Sequence, residues 1–433
     1  MKPRIGLKAP FRFAFLLRSR SRADALSAHS THALSPTARR LLAARTVRSV
    51  AQGALVADLS LYLHALGWSG LGIGLTLTGA GLTAAVLSLI IGRISDRLRR
   101  KPFLVWNEAL TALCGLAPLL STAPAVLAAA IVLGGFGRGL SGAAGPFGPA
   151  EQAWLAEVVP AEDRGWVYSL NNALGFFGMS LGALLAILPG LWADLPPQRT
   201  YALLFMIVIA GAVANLWLLL STGERDRGEM LPPGARAARL QRWENHLLWR
   251  LIRLNALNGL SMGLTGPLIS YWFALKFHAG PESIAPVMAA TFALTGVMAL
   301  YTGKLALRHG LSRAVVWSRG IGVVLLVALP FMPWFWLAAL VYMLRLASGG
   351  ASVGARQAQI VSLVRDERRG LAASVNAASF QVPQSAGPAI AGPLIAAGLF
   401  VTPFCLAAIL QLVYVVGYDR LFGRYDRKTV ARA

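Results

Sequence analysis

Residues Gly92–Pro102 read GRISDRLRRKP, with five cations and one carboxylate, and a nearly uncharged apolar run lies on either side. The run before covers about residues 70–92 and the run after about 102–121, each close to the roughly 20 residues that a helix needs to cross a bilayer. The charged stretch then reads as a polar turn joining two membrane spans.

The whole chain extends that pattern. Of 433 residues, 56% are hydrophobic and 14% charged, against about 25% charged in soluble domains; the mean hydropathy is +0.58. Apolar runs alternate with short polar breaks at about 45–66, 70–92, 102–121, 124–147, 166–190 and 200–221, and again at 250–275, 283–306, 314–331, 334–354, 370–398 and 400–421. Open sheets cannot satisfy their backbone in lipid, and the alternation of a barrel strand is absent, so these are read as helices. The fold class expected is an all-α membrane protein of twelve transmembrane helices in two six-helix bundles. Residues 1–44 are expected to be a basic cytoplasmic tail, 45–222 and 250–421 the two bundles, 223–249 a cytoplasmic linker and 422–433 a second tail. The first thirty residues, rich in Arg and Ser and poor in acids, also fit a transit peptide; a disordered tail is the simpler reading.

Twelve spans place both termini on one side, and the cations follow them. That side receives Lys2–Arg40, Arg93–Lys101, Arg164, the linker, Lys304–Arg313, Arg365–Arg369 and Arg420–Arg432, whereas the other receives only Arg199 and Lys276. This asymmetry makes the terminal side cytoplasmic in an inner (plasma) membrane. It also accounts for the net charge of +23 without a nucleic-acid partner. Cys114 and Cys405 stand alone in apolar runs, and the six histidines are scattered, so neither a disulfide framework nor a metal site is expected. No phosphate loop or nucleophile elbow points to a cofactor or to catalysis.

The two halves repeat. RTVRSVAQG from Arg45 matches RLIRLNALNG from Arg250, and QAWLAEVVPAEDRGWVYSLN from Gln152 matches QAQIVSLVRDERRGLAASVN from Gln357, both at an offset of 205 residues. RGLSG at Arg138–Gly142 answers RLASG at Arg345–Gly349. Six spans repeated in parallel is the arrangement of a two-bundle transporter with its site between the halves.

On these residues the chain resembles the major facilitator superfamily over about residues 45–421. The family's loop between spans 2 and 3 runs Gly-x-x-x-Asp-Arg-x-Gly-Arg-Arg/Lys; Gly92, Asp96, Arg97, Arg100 and Lys101 match, and Arg99 replaces the second Gly. Arg138 and Gly142 match a family-like Arg-x-x-x-Gly in span 4, while the Gly-Pro associated with antiporters in span 5 is missing from GFFGMSLGALL. The resemblance implies a cytoplasmic latch of Gly92, Asp96, Arg97 and Arg100 with an acid at the end of span 4, for which Glu151 is the candidate. It also implies a central cavity lined by spans 1, 4, 7 and 10.

Ionisable groups inside spans are costly and usually functional. Asp58 in span 1, Arg138 in span 4 and Arg345 in span 10 are therefore candidates for coupling or for the cavity, with a structural role as the alternative. Burial disfavours ionised Asp58 and a neighbouring Arg138 would favour it, so the sequence leaves its proton open. Gln52, Asn255, Asn258, Thr265, Tyr271, Asn376, Gln381 and Gln384 are substrate-cavity candidates, with hydrogen bonding between helices as the competing role. The function expected is alternating-access transport of a small molecule by a monomer in the bilayer, with protons as the coupling ion and export as its direction. Organic-anion uptake or exchange is an alternative, and a transport-inactive sensor on the same fold is another. A lipid-modifying enzyme lacks convergent acid–base residues.

Overall fold

The computed structural model describes residues 34–94, 100–137, 148–160, 163–191, 195–223, 238–309, 311–350 and 369–430. Fifteen α-helices cover them: α1 Pro36–Ala65, α2 Gly70–Ile94, α3 Lys101–Leu120, α4 Pro124–Gly134, α5 Gly148–Val158, α6 Arg164–Leu185, α7 Leu188–Leu191, α8 Pro197–Leu220, α9 Ala238–Thr265, α10 Ile269–Phe277, α11 Pro281–His309, α12 Leu311–Ala328, α13 Phe335–Gly350, α14 Arg369–Ala396 and α15 Thr402–Val430. They fall on the twelve expected segments, except that span 4, expected to end at 147, is followed by α5. Taken so, span 4 contributes α4 and α5, and span 7 contributes α9 and α10.

Three boundaries move. Helix α1 starts at Pro36, not near residue 45, because Ser35 Oγ accepts the Ala38 N–H at 3.2 Å and proline fits the first turn. Ala38, Leu41 and Leu42 are then buried with Trp154, Leu155 and Val159, so this stretch belongs to the bundle and not to a tail. The expected linker is helical from Ala238, downstream of Pro232-Pro233-Gly234, where strong helix formers take over. The last helix continues to Val430, past residue 421, with no proline to stop it.

Among the described residues, six helical stretches are long and apolar enough to cross a membrane by themselves, and they lie in spans 2, 3, 5, 6, 8 and 12. Spans 4, 9 and 10 give shorter apolar helices among the described residues, and the other three are less apolar. Span 1 carries Arg45, Arg48 and Asp58; span 7 carries Arg250, Arg253, Asn255 and Asn258; and span 11 contains Pro383, Pro388 and Pro393. The lipid-facing surface is marked by exposed tryptophans. Trp106, Trp166, Trp217, Trp249 and Trp317 ring the face that carries the chain termini, and Trp334 and Trp336 lie at the far face, as the aromatic belts of membrane proteins do.

Packing repeats with the sequence. In the first half α1 crosses α6 and α8, α3 packs on α8 and α4, and α2 packs on α4. In the second half α9 crosses α14 and α15, α12 packs on α15 and α13, and α11 packs on α13. The halves meet along α2–α14 and α6–α11, two pairings that the repeat exchanges. Because lipid removes the hydrophobic drive between helices, the crossings rest on close backbone approach. A Cβ on Gly182 would overlap the Val50 carbonyl of α1, and its repeat partner Gly387 lies against Gly263 of α9. Between the halves, Ser180 Oγ donates to Ala289 O at 2.8 Å, Ala389 N–H donates to Thr78 Oγ1 at 3.1 Å, and His64 meets Tyr271 at 5.2 Å between ring centroids. All three lie in the half nearer the far face, so the described helices close the molecule there.

Gly182→Val and Gly387→Val should each collapse the thermal stability of detergent-purified protein. Gly320→Ala in α12, with nothing within 4 Å of its added methyl group, should be neutral or stabilising by up to about 1 kcal/mol. Equal melting of all three variants would show that the crossings do not depend on backbone approach.

Candidate functional site

Helix α1 carries three buried ionisable groups, Arg45, Arg48 and Asp58. Arg48 is the best satisfied. Its Nε donates to Glu108 Oε1 of α3 at 2.8 Å and its Nη1 to Glu151 Oε2 of α5 at 2.5 Å. Asn107 Nδ2 also donates to Glu108 Oε1, at 3.3 Å. Span 1, span 3 and span 4 are thus tied together at one depth, in the part of the bundle nearer the terminal face. The guanidinium of Arg45 packs against Gly175 of α6, where a Cβ would come within 2.9 Å of its Nε.

Glu151, expected to receive Arg97, therefore receives Arg48. Arg97, Asp96 and Arg138 lie outside the described residues, as does the side chain of Asn376, and of Gly92 only its place in α2 is described. Arg100, the described residue of the basic loop, meets Glu157 of α5, whose Oε2 lies 3.1 Å from its Nη1. Position along the helix decides this: Glu151 points into the bundle and is buried, while Glu157, nearly two turns on, is exposed near the loop. Lys101 Nζ donates to Leu220 O at 2.8 Å and to Thr222 O at 2.9 Å, and Arg40 Nη1 donates to Ser221 O. Both cations so cap the carboxyl end of α8, where the helix dipole is negative.

Asp58 lies seven residues, or about 10 Å, before the end of α1. This puts it in the half of span 1 nearer the far face. It is fully buried, and neither carboxylate oxygen has a hydrogen-bond partner among the described residues. Tyr62, one turn further along α1, packs on Tyr201 and Phe205 of α8 at 5.3 Å between ring centroids.

Arg345 does not join Asp58. Its Nη2 donates to Thr265 Oγ1 at 3.1 Å, with Met262 Sδ 3.9 Å away, and its Nη1 is buried with no partner among the described residues. Thr265 belongs to a polar face of α9. There Asn255 Nδ2 donates to Ser379 Oγ of α14 at 3.1 Å, and Asn258 is fully buried with neither amide atom bonded. Gln381 of α14 also has an unpartnered Oε1. The structure thus gathers Asn255, Asn258, Thr265, Arg345 and Gln381 in the second half. Tyr271 stands apart at the far face against His64, and Gln384 turns its backbone carbonyl to Gly263. Gln52 lies in the first half beside Arg48 and Glu108.

The sequence reading passed over Arg45, Arg48 and Glu108. The rule that singled out Asp58, a charge inside an apolar span, applies equally to Arg48 and Glu108. What hid them was their opposite signs on different spans, which only the fold brings together.

The major facilitator superfamily model matches residues 41–256 and 251–429, once for each half. The chain belongs to that family and is a multi-pass membrane transporter of small molecules. It is similar to multidrug resistance protein MdtG of Citrobacter koseri, 26% identical over 393 residues that cover 86% of this chain and 91% of that protein. It is also similar to the MdtG of Dickeya zeae, at 25% over 380 residues covering 82% and 86%. Among solved structures, a D-xylose-proton symporter superposes with a TM-score of 0.66 at 14% identity, covering 88% of this chain and 97% of that one. The nucleoside transporter NupG gives 0.65 at 13% identity, covering 89% and 99%. At those identities the structural likeness concerns the fold.

Removing one member of a buried ion pair strands the other and costs about 3–5 kcal/mol. Arg48→Gln, which strands two acids, should therefore lower the melting temperature more than Glu108→Gln or Glu151→Gln. The double variant Arg48→Gln/Glu108→Gln should recover part of the loss. Additive effects in a thermal-melt cycle would show that Arg48 and Glu108 are not coupled.

Proposed function

We propose that the chain is a proton-coupled exporter of hydrophobic or amphipathic small molecules, acting as a monomer in the inner membrane with both termini in the cytoplasm. The observation that carries this reading is Asp58, a fully buried carboxyl group with no hydrogen-bond partner among the described residues, in a state closed at the far face. An unpaired carboxylate in a low-dielectric bundle is expensive, whereas the neutral acid is not. The closed protein therefore carries a proton on Asp58 and gives it up when the site opens to water or meets a cationic partner. Substrate then moves against that proton, between the α9–α14 polar face and the first half. The similarity to proteins named for multidrug resistance supports the direction and the substrate class.

The latch belongs to the same reading. Asp96 and Arg97, with Gly92 and Arg100, close the terminal side when the far side opens, and the Arg100–Glu157 pair is its described part. One observation favours uptake or exchange of an organic anion instead, namely the buried and unpartnered Nη1 of Arg345.

Purified protein in liposomes distinguishes these readings. Lipophilic cations should accumulate under an imposed pH gradient, and Asp58→Asn should abolish that accumulation while keeping exchange of labelled for unlabelled substrate. Retained pH-driven accumulation in Asp58→Asn would remove Asp58 as the coupling residue. Anion exchange lost in Arg345→Gln, with no cation flux, would favour the second reading.

A further inference from the structure

Two cations from different helices converge on one helix end at the terminal face. Lys101 Nζ, at the start of α3, donates to Leu220 O at 2.8 Å and to Thr222 O at 2.9 Å, and Arg40 Nη1, near the start of α1, donates to Ser221 O between them. Three consecutive carbonyl groups thus hold two positive side chains together. The carboxyl end of α8 supplies only about half a negative charge, so the pair keeps most of its charge. Arg39, beside Arg40, is exposed and adds to it. In the first half, the acids described at this face are engaged elsewhere: Glu157 of α5 faces Arg100, and Asp163 caps the start of α6. Arg40 is exposed, and its bond to Ser221 uses one of the five N–H groups of a guanidinium.

The surface next to these cations faces lipid. Helices α3 and α8 run antiparallel with Gly115 against Ile209, where a Cβ would come within 2.8 Å of the isoleucine side chain. Nine residues back from Gly115 is Trp106, and nine on from Ile209 is Leu218, the neighbour of Trp217. The two tryptophans therefore stand at one level on neighbouring helices. Both are exposed, as are Leu113, Val213 and Leu220 on the same two helices. Tryptophan rings so placed mark the boundary between hydrocarbon and head groups. Lys101 lies five residues, about 7.5 Å, beyond Trp106 towards the terminal face, at the level of lipid phosphate.

Charge then chooses among lipids. A zwitterionic head group would bring its own ammonium next to two cations, whereas an anionic one brings a phosphate without it. Basic pockets between helix ends bind anionic head groups for this reason.

We propose that α1, α3 and α8 form a binding site for an anionic glycerophospholipid of the leaflet at the terminal face. Arg40 and Lys101 hold its phosphate, and its acyl chains lie along the α3–α8 groove over Trp106 and Trp217. The site is independent of the coupling role given to Asp58.

The test melts the full-length protein in a neutral detergent with dioleoylphosphatidylglycerol, dioleoylphosphatidylcholine or inorganic phosphate. The two lipids share their chains and differ in head-group charge, and phosphate presents the anion without chains. Phosphatidylglycerol should raise the melting temperature saturably, at about tenfold lower concentration than phosphatidylcholine, and phosphate should have no effect over the same range. Arg40→Gln, at an exposed position, should reduce that preference, and Arg40→Gln/Lys101→Gln should abolish it, while Arg40→Lys keeps most of it. These changes also uncap α8, so the readout is the ratio between the two lipids within each variant, not the melting temperature itself. Arg253→Gln, which removes an exposed cation of the second half, should leave the ratio unchanged. Equal potency of the two lipids, phosphate acting as well as phosphatidylglycerol, an undiminished ratio in Arg40→Gln, or an equal loss in Arg253→Gln would each overturn the proposal.

Discussion

A charge inside an apolar bundle must find a partner, and in the first half that requirement falls on Arg48. Its two carboxylates come from different helices, at 2.8 and 2.5 Å, so satisfying one guanidinium fixes span 1 against spans 3 and 4 together. Replacing Arg48 by an apolar residue strands both carboxylates, whereas replacing either acid still leaves Arg48 the other. The break in span 4 is compatible with this anchor because α5, which carries Glu151, is tied to α1 by the ion pair as well as by packing.

Most of the fold was legible in the sequence because lipid imposes one simple rule on each span. The limits of α2, α3, α8 and α11 agree with the apolar runs to within a few residues. The start of α1 was also written there, in Ser35-Pro36, a cap and a first-turn proline, but the search for apolar runs looks past a signal that precedes Arg39 and Arg40. The site was less legible. Arg48 and Glu108 lie sixty residues apart and Arg48 and Glu151 one hundred and three, so their pairing is a property of the fold. Arg345 was correctly placed in a span, yet its hydrogen bond goes to Thr265 and not to an acid. Nothing in local spacing reports which of two polar helices will face it.

The spans that fail a simple hydropathy test are informative for the same reason. Span 1 with its three ionisable groups, span 7 with its two buried asparagines, and span 11 with three prolines fall short because their polar or irregular parts face protein and not lipid. Strongly apolar spans such as α3 and α8 expose Trp106, Leu113, Trp217 and Leu220 to the bilayer instead. A weak span in a chain of strong ones thus marks the inside of the bundle.

The duplication separates what both halves need from what only one needs. Packing is shared: Gly182 and Gly387 stand at the same register and each brings two helices into backbone contact. Charge is not shared. Arg253 occupies the place of Arg48 in the repeat but is exposed, and the sequence puts Arg356 where Glu151 stands. The second half fills its interior with amides and hydroxyls, Asn255, Asn258, Thr265 and Ser379, of which Thr265 accepts from Arg345. Two bundles that rock against each other need equivalent crossings to keep their shape, so selection for motion holds the glycines in both. Ion pairing needs only one copy, and a second would add desolvation cost without adding a hinge. On the proposed reading, the first half therefore keeps the acids, and the second is free to present hydrogen-bonding groups to substrate.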